Sequence, residues 1–270
     1  MEDFSKYNGD GTPLRKAQLC MLNILIEIDR ICRKHDIPYW LDSGTLLGAV
    51  RHGGFIPWDD DLDLCVLRTD YARLCKALSE ELPNYYLLEN SKTDKNFFDV
   101  YSRIKDKRTY CYYPLFEKQN SQGLWVDIVP LEKDVPAWYK TIVDKTYGKC
   151  YKQIYNIALA HEEPRLQCVV KKLIAYCLFP FAYVLMQMGK LWGNCRNNGL
   201  LMHPYGSYWE KRRTFKNIFP TKEILFEGHY FYAPNNSDAY LRNIYGDYMQ
   251  IPAPEKRKQL LDVSKIIFYE

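Results

Sequence analysis

Two hundred and seventy residues carry 37 Lys and Arg against 33 Asp and Glu, a net charge of +4. Both signs are scattered along the chain, which argues against a dedicated nucleic-acid surface. A hydrophobic share of 47% with 26% charged residues excludes a disordered chain, a collagen and a multi-span membrane protein.

None of the nine cysteines forms a CxxC pair, so no zinc or dithiol redox motif is present. The segment Met1 to Lys16 is polar and lacks the apolar run of a secretory signal. With cysteines that follow no disulfide pattern, this points to a reducing, cytoplasmic setting.

Apolar residues at three- and four-residue steps from Leu14 to Cys32 predict a helix over Pro13–His35, capped by Thr12. Pro38 ends it. Tyr39–Asp42 reads as a short strand running into Ser43-Gly44-Thr45, and Leu46–His52 as a brief helix stopped by Gly53-Gly54. A strand is expected over Leu62–Leu67, a helix over Asp70–Leu82 capped by Thr69, and strands over Tyr85–Leu88, Val100–Ile104 and Leu124–Val129. Unequal connections between strands favour a mixed β-sheet flanked by helices, an α+β class. The run Leu173–Met188 is apolar but for Gln187, and Pro180 interrupts it. It is short for a span and reads as a buried helix pair in preference to an interfacial membrane helix. Ser237–Tyr245 reads as a helix closed by Gly246. With no repeat or linker, one domain is expected: a core over about 12–150, a helical insertion over about 151–200 and a C-terminal segment over 201–270.

The chemistry concentrates in Trp58-Asp59-Asp60-Asp61-Leu62-Asp63-Leu64-Cys65-Val66. Strand alternation puts Leu62, Leu64 and Val66 on the core face, and Asp61 and Asp63 together on the other. Two strand rises separate the acids, roughly 6.6 Å, where like charges repel by about 2.5 kcal/mol at an effective dielectric of about 20. A bound cation relieves this most directly, and hard oxygen ligands suit Mg²⁺ or Mn²⁺. The plainer alternative is an acidic loop edge. Asp127 points away from the core face of its own strand and offers a third carboxylate, as ligand or base. A strand turning into a helix through Ser43, Gly44 and Thr45 aims backbone N–H groups at an anion. Arg51 and His52 follow, able to contact phosphate oxygens or simply to close a short helix. His35, His161, His203 and His229 stand isolated and read as structural or surface residues.

A Gly-Thr turn opening a helix, an Asp-hydrophobic-Asp strand and a separate Asp resemble the nucleotidyltransferase fold. The segment LDSGTLLGAVRHGGFIPWDDDLDL, Leu41 to Leu64, is more specific and resembles the LicD family of phosphotransferases, relatives of the fukutin-related proteins. So do His35–Trp40, the Trp125–Ile128 strand and the tail Tyr240–Tyr248. The likeness extends over about Leu14 to Arg257, strongest before Val66 and weakest between Asp134 and Leu225.

The resemblance implies a nucleotidyltransferase-like mixed sheet and the transfer of a substituted phosphate, often phosphocholine from CDP-choline, to a hydroxyl of a cell-surface glycan, free or lipid-linked, in the cytoplasm or at the inner face of a membrane. Carried over, Asp61, Asp63 and Asp127 would bind Mg²⁺, and Ser43, Gly44 and Thr45 would hold the diphosphate with Arg51 and His52 nearby. Trp58, Tyr110, Tyr112, Tyr113 and Trp125 could cage a choline, although each is as readily a packing residue. Two other readings stay open: nucleotidyl transfer to a small hydroxyl acceptor, and a noncatalytic glycan- or membrane-associated protein holding a structural cation.

Overall fold

The computed structural model describes residues 4–154, 165–207 and 209–269. His161 and part of the expected helical insertion, 155–164, lie outside the described residues. After a short α1 (Ser5–Asn8), the long helix α2 (Pro13–Lys34) starts where the Thr12 hydroxyl accepts the Arg15 N–H at 3.2 Å. Its apolar face buries Met21, Ile24, Leu25, Ile28 and Ile31. The basic residues Arg33 and Lys34 in its last turn complement the helix dipole.

The chain continues as β1 (Tyr39–Leu41), α3 (Ser43–His52), β2 (Asp63–Leu67), α4 (Arg68–Glu81), β3 (Tyr86–Glu89), β4 (Ser102–Asp106), β5 (Thr109–Tyr110) and β6 (Trp125–Lys133). These strands, apart from β5, form a sheet in the order β1-β2-β6-β4-β3. Two further strands, β7 (Leu200–Met202) and β8 (Arg213–Thr214), extend it from the distal end of β6. Only the central pair β2 and β6 runs parallel; their neighbours are antiparallel. This is the mixed sheet of an α+β fold. Its core face carries Leu62, Leu64, Val66, Val126 and Ile128, all buried as the alternation requires.

The helical part comprises α5 (Ala137–Val143), a π-helical turn (Asp144–Gly148), α6 (Lys149–Ile154) and α7 (Arg165–Arg196). The tail adds α8 (Phe215–Ile218), the hairpin β9 (Lys222–Phe226) and β10 (His229–Ala233), α9 (Ser237–Tyr245), and β11 (Ile267–Phe268) paired with β5.

Several local expectations need correction. Helix α3 begins at Ser43 rather than Leu46, through a left-handed Ser43 with φ of 47°. Thr69 does not cap α4; the helix starts at Arg68, and Leu67 at the cap position has no side-chain acceptor to offer. The largest correction concerns Leu173–Met188. It is the middle of one continuous 32-residue helix with Pro180 inside it, and most of its apolar surface is exposed. Proline removes one backbone hydrogen bond. Ala175 and Ala182, on either side of it, are buried against the domain.

Candidate active site

Parallel pairing of β2 with β6 sets Asp63 directly beside Asp127. Strand neighbours lie about 4.8 Å apart, so the two carboxylates leave the same face of the sheet side by side. Asp61 stands two residues before Asp63. The Asp42 N–H donates to the Asp63 carbonyl at 3.1 Å and the Asp63 N–H donates to the Thr45 hydroxyl at 2.9 Å, tying the turn before α3 to the acidic strand. Ser43, Asp61, Asp63 and Asp127 thereby line one cavity of about 280 Å³, together with Asp42, Asp99, Tyr101, Arg103, Trp125 and Trp209.

The electrostatics of this cavity are strongly one-sided. Burial, and then the facing carboxylates Asp61 and Asp127, push Asp63 well above the usual carboxylate range. Asp61 is pushed up to about 6 by burial first and by Asp60 and Asp127 next. Asp59, held up by burial and by Asp61, stands behind the cavity lining and hydrogen-bonds to Asp61. A proton shared within such a cluster is what carboxylates adopt when no cation stands between them.

Asp127 differs in having an internal counter-ion. Arg103, its cross-strand partner on β4, donates from Nε to Asp127 Oδ1 at 2.7 Å and sits 2.8 Å from Asp99. The guanidinium also lies over Phe116 and Trp125, 4.5 and 5.7 Å from the ring centroids. Those ring faces are therefore engaged by arginine, and Trp125 is a wall of the cavity rather than an open cage. Trp58 packs against Phe4 and Tyr7 and under Arg257. Tyr113 lines the cavity, Tyr110 is taken up by strand pairing with Ile267, and Tyr112 is exposed.

The residues of the turn separate into different tasks. Asp42, at the cap position of α3, makes no side-chain cap, so the first-turn N–H groups keep their anion-binding capacity. A side chain at Gly44 would bring its Cβ to 2.7 Å from Asp59 Oδ2; only glycine lets the turn approach the acids this closely. Thr45 is buried and serves the Asp63 N–H. Arg51 and His52 lie at the other end of α3 and do not line the cavity. Arg51 Nη1 donates to the Tyr248 carbonyl at 2.9 Å and Nε to His52 at 2.9 Å, while the His52 ring packs on Phe4 and Trp58. Arg51 nonetheless stays within electrostatic reach of Asp59.

Sequence reasoning missed Arg103, Asp42 and the groups behind them. The Tyr240 hydroxyl donates to Asp42 Oδ1 at 2.5 Å, Ser43 Oγ donates to Oδ2 at 3.0 Å, and Arg213 Nε stands 3.9 Å from Oδ1. Burial works against the Asp42 charge, but Arg213, His203 and Tyr240 outweigh it and hold its carboxyl below the usual range. A charged residue inside the expected Val100–Ile104 strand was the one available signal for Arg103, whose cross-strand neighbours are both acids, Asp127 and Glu89. Asp60 proves to be structural: it accepts the N–H groups of Leu260 at 3.0 Å and Leu261 at 2.5 Å, clasping the C-terminal segment. His35 binds Glu81 at 2.5 Å and His229 is exposed, whereas His203 is buried in the lining of the candidate site cavity, which its isolation in sequence did not indicate.

Among the described residues no three His, Cys, Asp or Glu side chains converge closely enough to complete a metal site alone. The donor set still fits a hard dication. Its oxygens face one another in a buried cavity with protons raised onto them, and Mg²⁺ is commonly held by one or two carboxylates, with waters and substrate phosphates supplying the rest.

Paired acids on parallel central strands, beside an open helix N-terminus, are the arrangement that the resemblance to the nucleotidyltransferase fold implies. Residues 36–157 match the family described as LicD/FKTN/FKRP, nucleotidyltransferase domain. The chain is 30% identical over 259 residues, 91% of its length and 94% of the relative's, to the lipopolysaccharide cholinephosphotransferase LicD of Haemophilus influenzae. It is 41% identical over 76 residues to the mouse ribitol 5-phosphate transferase FKRP, covering 27% of this chain and 14% of that one. An uncharacterized protein of Rickettsia prowazekii is 32% identical over 115 residues, 41% of this chain and 42% of its own. The chain belongs to the LicD family and is a phosphotransferase.

Proposed function

We propose that this phosphotransferase moves a substituted phosphate, phosphocholine from CDP-choline, onto a hydroxyl of a cell-surface glycan, with Mg²⁺ or Mn²⁺ as its metal. The observation that carries this reading is the cavity in which Asp61, Asp63 and Asp127 face one another beside the α3 N-terminus. A cluster so unfavourable alone is well suited to a dication and a diphosphate together. The named relative, similar over nearly the whole chain, supports the choice of headgroup and acceptor.

In this reading Asp61 and Asp63 would hold the metal, and the chemistry it would supply there is charge neutralisation at the phosphate oxygens. The first-turn N–H groups of Ser43, Gly44 and Thr45 receive diphosphate oxygens. Arg103 fixes the orientation of Asp127. That carboxylate, kept basic by burial against the pull of Arg103, takes the proton of the attacking hydroxyl. The exposed ring of Trp209, stacked on His203 at the cavity rim, is available to the donor's base or headgroup. A cytoplasmic, reducing setting suits nine cysteines that are all unpaired.

Incubation with CDP-choline or CDP-ribitol, Mg²⁺ and lipopolysaccharide, read by mass spectrometry, tests the reaction. Release of CMP with a product heavier by phosphocholine is expected. A product carrying the nucleotide would replace this reading with nucleotidyl transfer, and a product carrying ribitol phosphate would correct the headgroup. No turnover by a protein that binds Mg²⁺ would favour a noncatalytic cation site.

A further inference from the structure

Helix α7 buries a narrow stripe and exposes the rest. Ala175, Ala182, Met186, Gly189 and Gly193 form the inner stripe. A Cβ at Gly189 would lie 2.4 Å from the Tyr205 hydroxyl, and one at Gly193 would lie 2.7 Å from the Lys133 carbonyl. These contacts fix the helix flat on the domain over ~27 Å of its length. The opposite faces present Leu166, Leu173, Phe181, Val184, Met188 and Leu191, between 53% and 74% exposed. By length and composition the helix could cross a membrane, the only one among the described residues that could. Its docked stripe argues against a span, because a spanning helix needs lipid or apolar partners all round.

Charge identifies the occupant. Over Ala137–Ile154 and Leu166–Arg196 there are eight Lys and Arg residues and one acid, Asp144; Lys140 pairs with Asp144 and Lys190 with Glu132, and two further acids in the sequence, Glu162 and Glu163, fall between the two stretches. Lys171 and Lys172 lie towards the N-terminal end of α7, and Lys145 and Lys149 on the adjoining segments are exposed. A second copy of the chain would bring the same cations to the same face and repel. Two exposed tryptophans, Trp138 and Trp192, touch at 5.8 Å beside the apolar surface, the residue type that settles at the headgroup level.

We propose that α7 is a membrane-surface anchor, its outer face seated in the interface of an anionic bilayer while its inner stripe holds the domain. Met186 and Lys190 of the same helix line a second cavity of about 350 Å³, which shares Tyr101 with the acid-lined one. The anchor does not depend on the identity of the transferred group, and its test reads binding, not turnover.

The test is flotation of the full chain with vesicles of phosphatidylethanolamine and phosphatidylglycerol, against vesicles of phosphatidylcholine. The protein should rise with the anionic vesicles, less with the zwitterionic ones, and the difference should shrink in high salt. Leu173→Glu/Phe181→Glu should lower the bound fraction at least tenfold with an unchanged far-ultraviolet circular dichroism spectrum. Lys171→Glu/Lys172→Glu should remove the preference for anionic lipid, and it stands as the second variant should the first misfold. Failure to float with either composition overturns the proposal. So does a concentration-dependent dimer in sedimentation that the glutamate variant dissolves while no vesicle binding is seen.

Discussion

Replacing Asp63 by Asn should stabilise the metal-free protein while destroying its activity. Asp63 faces Asp127 across paired strands, about 4.8 Å away, and Asp61 stands two residues before it, roughly 6.6 Å away if the extended spacing holds there. At an effective dielectric of about 20 these pairs repel by about 3.5 and 2.5 kcal/mol. Arg103 offsets part of the first, and partial protonation relieves some of both, leaving about 2 kcal/mol for the neutral amide to recover. For a chain of this size that is roughly 5 °C in melting temperature. Scanning calorimetry at neutral pH in EDTA would read it directly. With Mg²⁺ the order should invert: the wild-type protein gains stability by linkage, and Asp63→Asn gains little. A variant that melts below wild type in EDTA, or that keeps the full Mg²⁺ shift, would refute the electrostatic account of this cavity.

Arg103→Met should cost about 3–5 kcal/mol in urea denaturation, because it leaves Asp127 and Asp99 without their buried counter-ion. Tyr240→Phe removes the hydroxyl that donates to Asp42 and should destabilise by about 1–3 kcal/mol, with a loss of turnover that Asp42→Asn reproduces. Burial first, and Arg213 among its neighbours, lower His203 to about 4, below the value near 6.5 it has when unfolded. Between those values the unfolded chain binds the proton and the folded one does not, so stability is lost as pH falls from about 6.5 towards 4. Comparing unfolding free energies at pH about 7 and about 5 should show His203→Asn losing about 2 kcal/mol less than wild type.

What could be read in the sequence was what local periodicity controls. Alternation placed Leu62, Leu64 and Val66 inward with Asp61 and Asp63 outward, and it isolated Asp127 on its strand, because a side chain's face in a strand depends only on its neighbours' parity. That Asp63 and Asp127 stand in register is a property of strand order, which no local pattern encodes. Arg103 was passed over for the same reason: a buried arginine makes sense only once its cross-strand partner is known. Asp42 looked like the end of a strand, although the groups that keep it charged, Tyr240 and Arg213, arrive from the far end of the chain. Asp60 looked like solvated loop until Leu260 and Leu261 came back to bind it. Arg51 and His52 were assigned by proximity in sequence to the turn, but a ten-residue helix carries its last turn about 13 Å from its first.

Helix α7 shows a different kind of limit. Apolar composition records that a segment prefers a phase other than water, and a protein core is only one such phase. Reading Leu173–Met188 as a buried pair broken at Pro180 assumed that this chain supplied all the apolar surroundings. The small residues at 175, 182, 189 and 193 carry the missing information, since they recur at helical spacing and let one face lie close against the domain. Met186 is the one large residue of that stripe, and large apolar residues fill the outward directions. A core helix has the reverse distribution, with its bulk turned inward and polar groups outward. That inversion, small inside and large outside, could have been counted from the sequence, and it separates an exposed apolar helix from a buried one where total hydrophobicity does not.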